Sequence, residues 1–287
     1  MNLFLIPIIL GIIQGLTELL PVSSSAHVVV AEKLMGLDPS SPEMTLLLVM
    51  LHTGTMFAVI VFFWNRWRTA FSEQEGGIAR YILLLVVSTV LTGIIGEALV
   101  KLIEKTWFRG APKAEVELLF SHLELIAPAL ALVGILIIIA GVLRKSDSSA
   151  INRGLNTRRA ALIGAVQGLC LPFRGFSRSG ATISTAMLAG VEKARAEDFS
   201  FALAVILTPP VVAREVLRMV KAEHLTPGAG LMPAFSLSVI GFVSAFFAGL
   251  LALKWLSKWL EQGRWHWFGI YCLVAAAVVA SLHHAGY

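Results

Sequence analysis

The stretch Gly11–His27, GIIQGLTELLPVSSSAH, decides how this chain is read. It lies where a first membrane helix is expected, yet it carries a glutamine, a glutamate, a proline, three consecutive serines and a histidine. A helix that crosses a bilayer core of about 30 Å needs about 20 predominantly apolar residues. The run over residues 3–20 ends at Pro21, and the next, Ala26 to Met35, is too short to cross. The pattern predicts a helix, a tight break and a second, half-length helix, which together make a re-entrant hairpin. Irregular backbone at membrane depth survives only where protein buries it or where it lines a wet cavity. The break is therefore already a candidate site.

Composition agrees. Of 287 residues, 57% are hydrophobic and 14% charged, against about 45–50% and about 25% for an ordinary soluble domain. Six stretches read as full spans: 45–64, 82–103, 125–143, 199–220, 234–256 and 266–283. This is the signature of a polytopic membrane protein embedded in the bilayer. The formal charge of +5 sits in loops, with no basic stripe interleaved with aromatics, so no nucleic-acid partner is expected. Cys170 and Cys272 give neither a disulfide framework nor metal-ligand spacing. A secretory signal peptide fits the N-terminus poorly, because a basic leader is missing and Glu18 interrupts the apolar run.

A second broken segment mirrors the first. Residues 160–171 end at Pro172, and the following ATISTAMLAGV is again short. GIIQGL begins at Gly11 and GAVQGL at Gly164, so Gln14 and Gln167 hold matching places. Each segment continues to a proline and a serine-rich turn, and three spans follow each. An odd number of spans per half makes the second half enter the membrane inverted. The expected fold is thus an all-α polytopic membrane protein forming a single membrane domain over 1–287. It holds two inverted-topology repeats, about 1–145 and 155–287, each a re-entrant helix hairpin plus three transmembrane helices. Short broken segments at matching positions of two halves point to a binding site near the membrane midplane. Loops opposite the N-terminus carry more Lys and Arg, including Arg66, Arg68, Arg80, Arg158 and Arg159. The positive-inside rule then puts both termini outside.

Several residues in the two breaks carry chemistry. Gly11, Gln14, Gly15 and Glu18 share one helix face. An ionisable residue inside the membrane is costly and points to function. Ser23, Ser24 and Ser25 precede a short helix that opens with Ala26-His27. Serine there is a natural N-cap, and the same geometry, with free N–H groups and the positive dipole end, makes an anion site. His27 is a candidate proton carrier or nucleophile. In the second break, RGFSRSGAT places Arg178 between Ser177 and Ser179, with Gly175, Gly180 and Thr182 close by. Glycines admit a ligand to the backbone, and the guanidinium fork matches phosphate oxygens. Arg174 adds charge or merely snorkels.

These residues resemble a known family, the undecaprenyl-diphosphate phosphatases of the BacA/UppP type, and the likeness runs nearly end to end. The family's first motif, an acidic residue or Gln, three residues, Glu, then Pro-Val-Ser-Ser and Gly-His, reads here Gln14, Glu18, Pro21-Val22-Ser23-Ser24 and His27. Its second, Pro-Gly-x-Ser-Arg-Ser-Gly-x-Thr, reads Gly175-Phe176-Ser177-Arg178-Ser179-Gly180-Ala181-Thr182. LHTGTMFAVIVFFW and EDFSFALAV look like the helices that follow each hairpin. Arg174 stands where the family has Pro, and Ala26 where it has Gly.

The resemblance implies a hydrolase of the bacterial inner membrane that turns undecaprenyl diphosphate into undecaprenyl phosphate and inorganic phosphate. That reaction recycles the lipid carrier of peptidoglycan synthesis. Arg178 would clamp the diphosphate with Gly175, Ser177, Ser179, Gly180 and Thr182 of the second hairpin and Gln14, Ser23 and Ser25 of the first. Ser24 ranks first as nucleophile, activated through Glu18 and His27, while His27 itself and direct attack by water stay open. The family also implies a Mg²⁺ or Ca²⁺ ion, for which Glu18 is the candidate ligand. A homodimer is allowed, although no dimerisation face stands out. The rival class is a polyprenyl-phosphate flippase or transporter on the same inverted-repeat scaffold. It would need the phosphate clamp but no Ser24/His27 pair.

Overall fold

A computed structural model describes residues 4–37, 41–73, 77–107, 123–143, 154–173, 175–225 and 231–285. The described elements are helices: α1 (Leu5–Leu19), α2 (Ser24–Leu34), α3 (Pro42–Glu73), α4 (Gly77–Trp107), α5 (Leu123–Leu143), α6 (Thr157–Cys170), α7 (Arg178–Leu188), α8 (Lys193–Leu225), α9 (Leu231–Glu261) and α10 (Trp265–His284). Among the described residues, five are long and apolar enough to cross a membrane: α3, α4, α5, α9 and α10. The chain is a multi-pass membrane protein. The helix expected over 199–220 forms as α8, 33 residues long with Pro209 and Pro210 in its interior, and it is not among those five.

Short helices form on either side of both predicted breaks. At 1.5 Å per residue α1 is about 22 Å long, short of a bilayer core. It stops before Pro21, and α6 likewise stops before Pro172. α1 packs against α9, and α6 against α4; α5 pairs with α10 and α3 with α8. Exchanging the two halves of the chain converts the first contact into the second.

The repeated G-x-x-Q-G explains these contacts. A Cβ on Gly11 would lie 2.7 Å from the Gly241 carbonyl oxygen, and one on Gly15 would lie 2.6 Å from that of Ala245, both on α9. A Cβ on Gly168 would lie 2.9 Å from the Thr92 carbonyl oxygen on α4. Small residues let membrane helices approach this closely, and hydroxyls then bridge them. Ser88 Oγ donates to the Ala160 carbonyl at 2.7 Å, and Thr92 Oγ1 to that of Gly164 at 2.9 Å. Gln167 Nε2 donates to Thr92 Oγ1 at 3.1 Å, so the second glutamine is a packing residue.

The main core runs through the bundle and takes in Leu19, Leu20 and Val22 of the first break, with Phe63, Phe199, Phe201 and Trp265. Large apolar side chains such as Leu132, Phe247, Leu251 and Val274 face outward, as lipid contact requires. Away from the breaks, an ionic knot ties α3 to α8 and α9. Arg66 lies 3.0 Å from Glu197 Oε2 and 2.9 Å from Asp198 Oδ1, while Ser257 Oγ donates to Glu197 Oε1 at 2.6 Å.

Candidate active site

The first break is strained where it turns. Leu20 is extended, and Ser23 has φ 67° and ψ 95°, the one non-glycine residue with positive φ among those described. Left-handed conformations cost an L-residue free energy and persist where the surroundings impose them, often at functional sites. Ser23 does not cap α2 with its side chain; its Oγ lies 3.3 Å from Ser25 Oγ. The first turn of α2 thus has no side-chain N-cap. Ala26, where the family has Gly, lies inside α2 with negative φ, buried against Ile126, Ala276 and Val279. That substitution is conformationally easy, and the left-handed residue is Ser23, three positions earlier.

The second break is capped. Ser177 Oγ accepts the Gly180 N–H at 3.2 Å, the N-cap bond that the first break lacks. Gly175 has φ 98°, and a Cβ there would lie 2.6 Å from the Ile126 carbonyl oxygen, so this turn admits only glycine without rearrangement. Ser179 Oγ donates to the Leu20 carbonyl at 3.4 Å, which joins the second hairpin to the end of α1. Thr182 Oγ1 donates to the Arg178 carbonyl at 2.8 Å and lies 2.6 Å from Ser200 Oγ. The hydroxyls of Ser177, Ser179 and Thr182 are thus all engaged in holding the hairpin together. Arg174 lies outside the described residues.

The two tips meet through Glu18 and Arg178. Arg178 Nη2 donates to Glu18 Oε1 at 3.1 Å, with about a fifth of each side chain accessible, 21% and 20%. Glu18 Oε2 accepts the Ser24 hydroxyl at 2.5 Å and Gln14 Nε2 at 3.3 Å. Arg178 Nη1 is buried and has no hydrogen-bond partner among the described residues. A buried guanidinium nitrogen without a partner is rare in folded proteins, and here it fits an anionic oxygen. A carboxylate on a serine hydroxyl, with an unfilled cationic donor on its other side, is an arrangement suited to nucleophilic attack on phosphorus.

His27 is oriented from both ring nitrogens. Nδ1 is 2.7 Å from the Ser23 carbonyl oxygen, and Nε2 is 2.6 Å from the Tyr271 hydroxyl on α10. Beside Tyr271, Cys272 Sγ donates to the Pro21 carbonyl at 3.3 Å, so α10 is anchored on the first break. His52 on α3 is within electrostatic reach of Glu18, and its own Nδ1 lies 2.9 Å from the Leu48 carbonyl. Neither Tyr271 nor His52 was singled out from sequence. An ionisable residue inside a predicted span could have flagged His52; no local pattern marks Tyr271. Among the described residues no group of three or more His, Cys, Asp or Glu side chains could hold a metal ion.

Comparison with known proteins now has a site to attach to. The family described as bacitracin resistance protein BacA matches residues 7–278. Undecaprenyl-diphosphatase 2 of Acinetobacter baylyi is 53% identical over 277 residues, 96% of each chain. The undecaprenyl-diphosphatases of Bacteroides fragilis and Rhodopirellula baltica are 32% and 33% identical, each over at least 94% of this chain and 95% of its own. With residues 7–278 matched and both motifs lying at the junction of the two tips, the chain belongs to the BacA family.

Proposed function

We propose that this protein is an undecaprenyl-diphosphatase, releasing inorganic phosphate and undecaprenyl phosphate from the lipid diphosphate. One observation carries the reading: Ser24, Glu18 and Arg178 form a continuous hydrogen-bonded chain across the two tips. Arg178 holds the terminal phosphate, with Nη1 as the donor not used by protein. Ser24 passes its proton to Glu18 Oε2 as Oγ attacks the terminal phosphorus. The bridging P–O bond breaks, and undecaprenyl phosphate leaves. Water then attacks the phosphoserine and gives a proton to His27 Nε2, while Ser24 Oγ leaves with the proton held by Glu18. Charge spread over the equatorial oxygens in both steps falls to Arg178 and the uncapped N–H groups of α2.

Mg²⁺ or Ca²⁺ fits only as a companion of the substrate. Glu18 would be its protein carboxylate, the diphosphate oxygens would supply most other ligands, and the ion would neutralise phosphate charge. The exchange of helix contacts between halves supports two inverted repeats with re-entrant hairpins. The loop charges support termini on the outer face of a bacterial inner membrane. The apolar outward faces suit the polyprenyl tail. A flippase needs a phosphate clamp but no serine on a carboxylate, so the Ser24–Glu18 bond favours hydrolysis.

Phosphate release from a polyprenyl diphosphate by purified protein in detergent tests this. Wild type should release phosphate, and folded Glu18→Ala and Arg178→Ala should not. No release by wild type, with divalent metal supplied, would move the assignment to transport.

A further inference from the structure

We propose that Tyr271 is a positioning residue for His27, holding through its hydroxyl the Nε2 lone pair of a ring whose proton the Ser23 carbonyl keeps on Nδ1. A backbone carbonyl can only accept, so the 2.7 Å contact with Ser23 puts the ring proton on Nδ1. Nε2 then carries the lone pair, and the Tyr271 hydroxyl at 2.6 Å donates to it. The two rings lie nearly parallel, 5.6 Å between centroids and 12° between planes. The phenol is held there independently of His27. Ala26 and Val29 of α2 pack on Ala276 and Val279 of α10, and the Cys272–Pro21 bond sets the register one residue away.

The consequences follow from this geometry. The lone pair of His27 is engaged by Tyr271, and the Ser24 hydroxyl already donates to Glu18, so His27 is not needed as the base in the first step. Tyr271 is 46% exposed. When water occupies the site, the phenol gives way to it at Nε2, which then takes the proton of the attacking water. Tyr271 therefore acts through His27 on dephosphorylation of the enzyme. This role rests on the phosphatase reading, whereas the tautomer does not.

The test uses the full-length protein in detergent, ¹⁵N-labelled at histidine, with the His27 signal assigned by its loss in His27→Gln. Without substrate, wild type should show His27 with the proton on Nδ1 and a hydrogen-bonded Nε2, and Tyr271→Phe should keep that tautomer while the Nε2 resonance moves toward that of a free acceptor. In turnover, Tyr271→Phe should lower kcat up to ~10-fold with KM within ~2-fold, the size of one lost neutral hydrogen bond. In a His27→Gln background the same change should have no further effect, which a merely structural role would not produce. An unshifted Nε2 resonance in Tyr271→Phe, or additive losses in the double variant, would overturn the proposal. Absence of wild-type hydrolysis, with the Nε2 shift intact, would instead sink the phosphatase reading alone.

Discussion

The two hairpins begin from the same sequence plan and end in opposite states. The second is satisfied: Ser177 caps its helix, Thr182 and Ser179 bond to carbonyls, and Gly175 takes the left-handed turn at no steric cost. The first is strained: Ser23 holds a positive φ, α2 lacks a side-chain cap, and Ser24 bonds to Glu18 instead of to its own helix. The hydroxyls of the second hairpin bond within it or to the end of α1, whereas the Ser24 hydroxyl of the first bonds to the carboxylate that meets Arg178.

Substitutions can break this contrast, most strongly at the reacting groups. Ser24→Ala should lower kcat by on the order of 10³-fold or more while leaving the fold intact, as read by single-turnover phosphate release beside a thermal melt. Arg178→Lys keeps the charge but loses the fork, and a fall of ~10²–10³-fold in kcat/KM is expected. Arg178→Ala adds a stability loss of ~3–5 kcal/mol, because Glu18 is left buried without its partner.

Smaller effects should fall on stability and should differ between the hairpins. Gly15→Ala and Gly168→Ala each drive a methyl into a facing helix, costing ~1–3 kcal/mol in denaturation measurements. Ser177→Ala should cost ~1 kcal/mol in denaturation measurements, the expected loss of an N-cap. Ser23→Gly should run the other way, stabilising by ~1 kcal/mol through relief of the left-handed strain. Destabilisation by Ser23→Gly would show that the side chain, not the backbone, matters there.

Much of this was legible beforehand. Pro21 and Pro172 marked both breaks, and the run lengths around them gave the short helices within a few residues. Glu18, Ser24 and Arg178 stood out because polar residues in a greasy run need a reason. The functions of the repeated glycines were less visible. They read as one small, polar face with Gln14 and Glu18, and only the partner helices α9 and α4 show them to be close-approach points. Tyr271 was invisible, since its partner is 244 residues away and nothing in the α10 sequence around it sets it apart. The jobs of Ser177 and Ser23 could not be told apart either, because both are serines before a helix and only backbone angles separate a cap from a strained turn.

The most direct measurement is to trap the enzyme during turnover. His27→Gln, slowed in dephosphorylation, would be mixed with polyprenyl diphosphate, quenched in acid and mapped by mass spectrometry. Phosphate should be found on Ser24. A phosphate on another residue, or an enzyme that releases phosphate without ever carrying it, would contradict the assignment of Ser24 as nucleophile.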